Sequence, residues 1–270
     1  MLLHKSRPMV CLLLVLFVLA VPASADEVAE KGRALLEENR GAVITVRSVL
    51  NISYGGGEDE RENEANGTII TPDGLTVLSL AALDPTIMMQ RMRGEDADIV
   101  SKITNLTLLF ADDSEVDGEV VLRDQDLDLA FVRPVTRPEE PLPYVDIENR
   151  AQPQVLDQLV VLGQLGKVAR REHMAFVERV EAVVARPITF YVLGEDRGRA
   201  VACSPAFTTD GAFVGIGVMR AIRTSASAGM GDNVLVVLID AEEIERAAEQ
   251  VPDWKAVDDD NEEAEEEDAE

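Results

Sequence analysis

Arg197, Arg199, Arg220 and Arg223 form a local basic group in a chain that is otherwise strongly acidic. A guanidinium presents paired N–H donors that match a carboxylate, so such a group could hold an acidic partner or the chain's own acidic end. The alternative is four solvated charges with no shared task. Other reactive side chains are scarce. The 270 residues contain two histidines, His4 and His173, and two cysteines, Cys11 and Cys203. Loss of an N-terminal leader would leave only His173 and Cys203. A lone cysteine forms no internal disulfide, which excludes a disulfide-stapled scaffold. A lone histidine excludes a histidine-rich metal site. No metal and no cofactor is expected. Asp113-x-Glu115-x-Asp117-Gly118 with Asp124 superficially resembles a calcium loop, but it lacks flanking helices and falls in a β-hairpin pattern. His173 follows Arg170-Arg171-Glu172 and reads as a surface residue on a loop or strand edge.

The ends of the chain differ from its body. Lys5 and Arg7 precede an apolar run from Met9 to Val21, and Pro22-Ala23-Ser24-Ala25 follows. A basic start, a short apolar stretch and a small-x-small exit describe a secretory signal peptide over residues 1–25, cut after Ala25. The run is shorter than the ~20 residues of a spanning helix, so no membrane insertion is expected after cleavage. The net charge is −26, and −28 once Lys5 and Arg7 are removed. Residues 258–270 hold 10 carboxylates, so the tail from 253 to 270 reads as disordered. A body this negative repels phosphate backbones and anionic membranes, so nucleic acid is not an expected partner.

Between the ends, residues 27–40 show helical spacing of Val28, Leu35 and Leu36, with Gly41 as a stop. Short β-type runs then alternate with turn signals. The runs are 42–51, 67–71, 76–80, 104–110, 116–123, 129–134, 158–162, 175–184, 189–193, 212–219 and 234–239. Pro72-Asp73-Gly74 and Asp210-Gly211 mark the clearest turns. Glu58–Asn66 reads as a solvated loop. Residues 85–101 read as an irregular insert whose Met88, Met89 and Met92 pack on the protein's own barrel or contact a partner. Asp240–Gln250 is a closing helix. Prolines 134, 138, 141 and 143 separate about six strands from five, which suggests two β-barrels joined by a linker. The expected divisions are 26–138 and 139–252.

Three segments carry a resemblance. They are Gly67–Asp84, with Ile69-Ile70, Pro72-Asp73-Gly74 and Val77; Leu108–Val132, with Gly118, Val120-Val121, Asp124 and Asp128-Leu129-Ala130; and Pro205–Ile216, with Gly211, Val214-Gly215-Ile216. In this order they resemble the HtrA/Deg-type branch of the trypsin-like serine proteases, over about residues 28–250. The resemblance implies an all-β fold of two trypsin-like six-stranded barrels with a short helix at each end. It places the family histidine at Ala81, the aspartate at Asp128 and the serine at Ala202. Asp128 alone is retained, so it has no imidazole to orient and reads as a turn cap or an arginine partner. A shift of register brings Cys203 or Ser204 to the nucleophile position, and either still wants an imidazole base. Cys203 also reads as a small buried apolar side chain. Ala200-Val201-Ala202 stands where glycines would shape an oxyanion hole, and a β-branched Val201 suits that turn poorly. The four arginines would lie near the former cleft.

The expected function is therefore binding of a protein or peptide partner by a secreted or periplasmic, catalytically inactive protease-like scaffold. Extended chains can add to a barrel edge as a strand without a triad. Two alternatives remain at this level: a hydrolase with a non-standard site around Cys203 and Ser204, and an acidic cation-binding protein. No PDZ-like segment is visible after residue 250, a departure from many HtrA/Deg-type proteins.

Overall fold

The computed structural model describes residues 24–54, 56–93, 99–112, 114–194, 201–221 and 234–254. The signal-peptide reading, apart from Ser24 and Ala25, and the acidic tail from Lys255 onward fall outside the described residues. So do Asp113, Arg197, Arg199 and Arg223. Among the described residues, no helix is long and apolar enough to cross a membrane.

Helix α1 (Ser24–Asn39) leads through a 3-10 turn (Arg40–Ala42) into twelve strands. The first six are β1 (Val43–Tyr54), β2 (Gly57–Ile69), β3 (Thr76–Ser79), β4 (Ile99–Leu109), β5 (Glu115–Asp124) and β6 (Leu129–Pro134). They close an antiparallel barrel in the order β1-β2-β3-β6-β5-β4. The second six are β7 (Gln158–Gln164), β8 (His173–Val184), β9 (Phe190–Leu193), β10 (Pro205–Thr208), β11 (Phe213–Ala221) and β12 (Val234–Asp240). They close a second barrel in the order β10-β11-β12-β9-β8-β7. One-turn helix α2 (Leu80–Leu83) and helix α3 (Pro85–Arg93) follow β3, and α4 (Ala241–Ala248) follows β12.

The apolar runs explain this layout. In β7 all of Leu159, Val160, Val161 and Leu162 are buried. Leu159 and Val161 fill the second barrel, while Val160 and Leu162 join a larger core that also takes in the first barrel. A strand buried on both faces reads as a continuous apolar run rather than an alternating one. Strand β6 behaves the same way, with Leu129 to Arg133 buried throughout. Helix α4 lays Ile244 and Ala247 onto the shared core. Its start is fixed by Asp240, whose Oδ1 accepts from Glu242 N at 2.9 Å. Truncating Ile244 to alanine would cost about 2–5 kcal/mol.

The proline-rich linker stitches the barrels together. Leu142 N donates to Pro72 O and Val145 N to Ile69 O, both at 2.9 Å, while Ala151 N donates to Phe213 O at 3.0 Å. The Pro72–Gly74 turn is closed by Gly74 N donating to Thr71 O at 3.0 Å. Gly74 has φ +93°, a left-handed conformation that favours glycine.

Three regions differ from the sequence expectations. Glu58–Asn66 is strand, not loop, because Gly57–Thr68 pairs residue for residue with Val43–Tyr54. Tertiary pairing outweighs the low β-propensity of its acidic residues. The stretch expected as an irregular insert forms helix α3 and the start of β4, with residues 94–98 outside the described set. Met88 is 7% exposed and Met89 39% exposed, so the two part company. Finally, β10 supplies the sixth strand of the second barrel.

Candidate functional site

Asp128 sits at the end of the β5–β6 turn, 1% exposed, with a left-handed φ of 60° that aspartate tolerates better than most residues. Its backbone carbonyl accepts from Leu80 N at 2.8 Å. Its side chain meets four donors. Oδ1 accepts from Arg91 Nη1 at 2.8 Å and from Ala81 N at 3.2 Å. Oδ2 accepts from Ser79 Oγ at 2.6 Å and from Met219 N at 3.3 Å. These donors come from β3, α2 and α3 on the first-barrel side and from β11 of the second barrel. The carboxylate is thus a tie across the seam. Burial raises the Asp128 carboxyl above its ordinary value, and the bonds from Ser79, Arg91 and Ala81 oppose that rise.

The local sequence builds this arrangement. Ser79 caps α2 by accepting from Ala82 N at 3.2 Å while donating to Asp128. Ala81, the position matched to the histidine, is fully buried, and it meets Asp128 through its own N–H. Charge compensation comes instead from Arg91, whose Nη2 also donates to Gln125 O at 3.0 Å. Sequence reasoning missed Arg91 because nothing in its neighbourhood names a partner 37 residues away.

The segment from Val201 to Ser204 packs against Gly217 on β11. Ala202 forms a parallel bridge with Gly217. Cys203 N donates to Gly217 O at 2.7 Å, Ser204 N to Val201 O at 3.0 Å and Gly217 N to Ser204 O at 3.1 Å. A Cβ on Gly217 would lie 1.9 Å from the Val201 carbonyl oxygen, so only glycine fits. The positive φ of this turn falls on Cys203, at 63°, rather than on Val201. The N–H groups of Cys203 and Ser204 are both occupied, the first by Gly217 O of β11 and the second within the turn. Cys203 is 1% exposed, and its Sγ accepts from Ser79 N at 3.3 Å. Burial pushes the Cys203 thiol up to about 12, with the nearby Asp128 charge adding to the rise. Ser204 is fully buried beside Gly163.

Of the two expected places, a loop or a strand edge, His173 takes the second, as the first residue of β8, but it is not fully exposed. It is half-buried, and its Nε2 lies 3.1 Å from the Val43 carbonyl oxygen and 3.3 Å from Gln164 Nε2. It lines a cavity of about 350 Å³ with Arg40, Arg170 and Arg171. An apolar cavity of about 490 Å³ lies by the linker prolines. Neither cavity is lined by Asp128, Cys203 or Arg220. Among the described residues, no group of three or more His, Cys, Asp or Glu is placed to hold a metal ion.

Of the four candidate arginines, the described residues include Arg220, on β11 next to Met219. The bonds of Gly217 turn its N–H and C=O toward β10, so alternation along the strand turns those of Met219 and Ala221 to the same side. Met219 N reaches Asp128 there. Arg220 is part-exposed, yet its Nε and Nη2 are covered from solvent and have no hydrogen-bond acceptor. Burial pulls the guanidinium below its ordinary value; Asp128, Asp124 and Asp126 oppose that pull, and Arg91 adds to it. Two closed six-stranded antiparallel barrels fit a trypsin-like double-barrel fold. No protein-family model matches the chain, and no curated protein is significantly similar to it in sequence.

Proposed function

We propose that this chain is a degenerate, HtrA/Deg-type member of the trypsin-like family, secreted or periplasmic, that binds an extended polypeptide without cleaving it. The observation that carries this reading is the state of Asp128. All four of its side-chain bonds go to Ser79, Ala81, Arg91 and Met219, so no place remains for an imidazole to be oriented. General-base removal of a nucleophile's proton has no agent beside this carboxylate. The alternative nucleophiles fare no better: Cys203 is a buried thiol with a raised pKa, and Ser204 is fully buried. Binding needs none of this machinery. Met219 N is held by Asp128, but the Met219 carbonyl and the Ala221 backbone groups on the same side of β11 suit the addition of a strand.

The test has two arms on the purified full chain. Fluorescein-labelled casein measures proteolysis, and a fluorophosphonate probe measures an activated hydroxyl. Neither should respond. Casein cleavage that disappears with Cys203→Ala or Ser204→Ala would overturn the reading. Binding is measured by anisotropy of labelled, extended decapeptides, and saturable binding that weakens on Ala221→Pro is expected, because proline removes the Ala221 N–H and distorts that edge while the Met219 bond to Asp128 is kept.

A further inference from the structure

We propose that Arg220 is a carboxylate receptor in the seam, and that the bound segment is recognised through an acidic side chain or a free C-terminus. This rests on the peptide-binding reading above. Nε and Nη2 are the two nitrogens that form the side-on fork of a guanidinium, the face that grips both oxygens of one carboxylate. On Arg220 these same two atoms are out of solvent and without an acceptor. A buried charged donor left unpaired is costly, and proteins rarely keep one without a purpose.

The neighbouring acids do not fill the fork. Asp128 is committed to its four donors. Asp124 Oδ1 accepts from Asp126 N at 3.0 Å and Leu127 N at 2.9 Å and so caps its own turn. Both acids act on Arg220 only through space, as does Asp126. Arg91, the other cation of the seam, is spent on Asp128 and Gln125. Arg220 is therefore the described cation of the seam whose donor pair is not taken up. It stands one residue from Met219, so a strand laid along Met219 and Ala221 passes beside it.

A purely structural arginine and a receptor arginine respond oppositely to substitution. If Arg220 held the fold together, Arg220→Gln would lower the melting temperature. A receptor whose ligand is absent carries an unpaired buried charge, so Arg220→Gln should leave the melting temperature unchanged or raise it while abolishing carboxylate selectivity.

Binding is measured with the full chain at 0.15 M salt, where the Debye length of about 8 Å screens the chain's overall negative charge. Three matched pools of labelled random decapeptides are compared. The first has internal Asp and Glu and an amidated end, the second has Asn and Gln in their place with an amidated end, and the third is the second with a free C-terminus. One carboxylate-bearing pool should bind at least about tenfold more tightly than the neutral pool, and which one does so identifies the source of the carboxylate. Arg220→Gln should erase the difference. Equal binding of all three pools overturns the carboxylate assignment and leaves the peptide-binding reading standing. Binding of no pool overturns the peptide-binding reading. The fork is then read separately: acetate against matched chloride must raise the melting temperature of the wild type and not of Arg220→Gln, or the receptor assignment falls as well. Pool binding that appears only after the ten acidic residues of 258–270 are changed to amides would make the chain's own tail the occupant, and so overturn the assignment to a partner.

Discussion

Asp128 should be worth more to stability than its lost company suggests, and Asp128→Asn measures this. All four partners of the carboxylate are donors. An amide offers one oxygen and one NH2 group, so one side of the site must face donors with a donor. The cheaper choice puts the NH2 toward Ser79, whose hydroxyl can turn to accept, and leaves Met219 N–H unpaired in a buried place. An unsatisfied buried N–H costs about 1–3 kcal/mol, so a loss near 2 kcal/mol is expected. Asp128→Ala strands the N–H groups of both Ala81 and Met219 and puts alanine at φ 60°, which adds about 1–2 kcal/mol. At about 2 kcal/mol for each stranded N–H, the total is then about 5–6 kcal/mol. For a chain of this size each kcal/mol shifts the melting temperature by about 2–4 °C, so the drops should be roughly 4–8 °C and 10–24 °C. The pH dependence has a definite sign. Burial raises the folded carboxyl above its unfolded value. The folded state therefore holds the proton more tightly, and wild-type stability falls as pH rises through the folded value. The deficit of Asp128→Asn should be largest in acid and narrow upward. Calorimetry or thermal circular dichroism across pH 4–8 gives both readouts. An Asp128→Asn protein that melts within a degree of wild type at every pH would refute the tie.

Three further expectations use other parts of the molecule. Cys203, buried with its thiol pushed up to about 12, should not react with a thiol reagent at pH 8 except at the rate of global unfolding. Rapid labelling of the native protein would contradict that burial. Trp254, the chain's single tryptophan, donates from Nε1 to Asp73 Oδ2 at 2.9 Å and lies under the Arg133 guanidinium at 4.4 Å. Burial alone would raise Asp73, but hydrogen bonds from Thr71 and Trp254 outweigh it and hold the carboxyl below its ordinary value. Stability from a depressed carboxyl is present above its unfolded value and lost as pH falls through the folded one. Tryptophan fluorescence should therefore shift only below the usual carboxylate range, and Asp73→Asn should remove that step. Changing Glu58, Glu60 and Glu62 to threonine should make the protein self-associate, read by size-exclusion chromatography with light scattering. The charges on β2 guard an edge that pairs with β3 only at Thr68 and Ile69.

How far these features were legible in the sequence depends on whether local chemistry decided them. The turn at Pro72-Asp73-Gly74 was legible because glycine at φ +93° and proline set it locally. Strand β6 was legible because burial on both faces leaves an unbroken apolar run. Strand β2 was not, because Glu58 to Glu64 carry a loop-like composition and the strand exists through its partner β1. Helix α3 was hidden for a similar reason. Its anchors are tertiary: Arg91 to Asp128, and Gln90 Nε2 to Ile99 O at 2.6 Å. Asp128 could be named from its motif, but its four donors lie on four separate elements. Other inter-barrel bonds are equally remote from sequence patterns. The Asn66 amide, oriented to satisfy both of its ends, pairs with the backbone N–H and C=O of Gln164, while Thr45 Oγ1 donates to Gln164 Oε1 at 2.7 Å.

Asp128 and Arg220, two charges of the seam, are in opposite states, and the contrast locates the site better than either does alone. Asp128 has surrendered every side-chain contact to its own chain, so it can fasten the barrels but has nothing left to offer a partner. Arg220 has kept back the two nitrogens that bind a carboxylate side-on. Both residues lie at the meeting of β11 and the first barrel, so their difference does not come from different degrees of access to the two barrels. It comes from which groups the fold supplies. Donors abound there, as backbone N–H groups of α2 and β11 and the guanidinium of Arg91, and they converge on the one carboxylate. Among the described residues no acceptor meets the Arg220 fork: Asp124 caps its own turn, Asp128 holds its four donors, and Asp126 acts on Arg220 only through space. An incoming strand brings carbonyls and, in the proposed class of partner, a carboxylate. On that proposal the strand is added beside Arg220, whose fork has no acceptor, rather than at the aspartate that the sequence motif singles out, whose bonds are all taken.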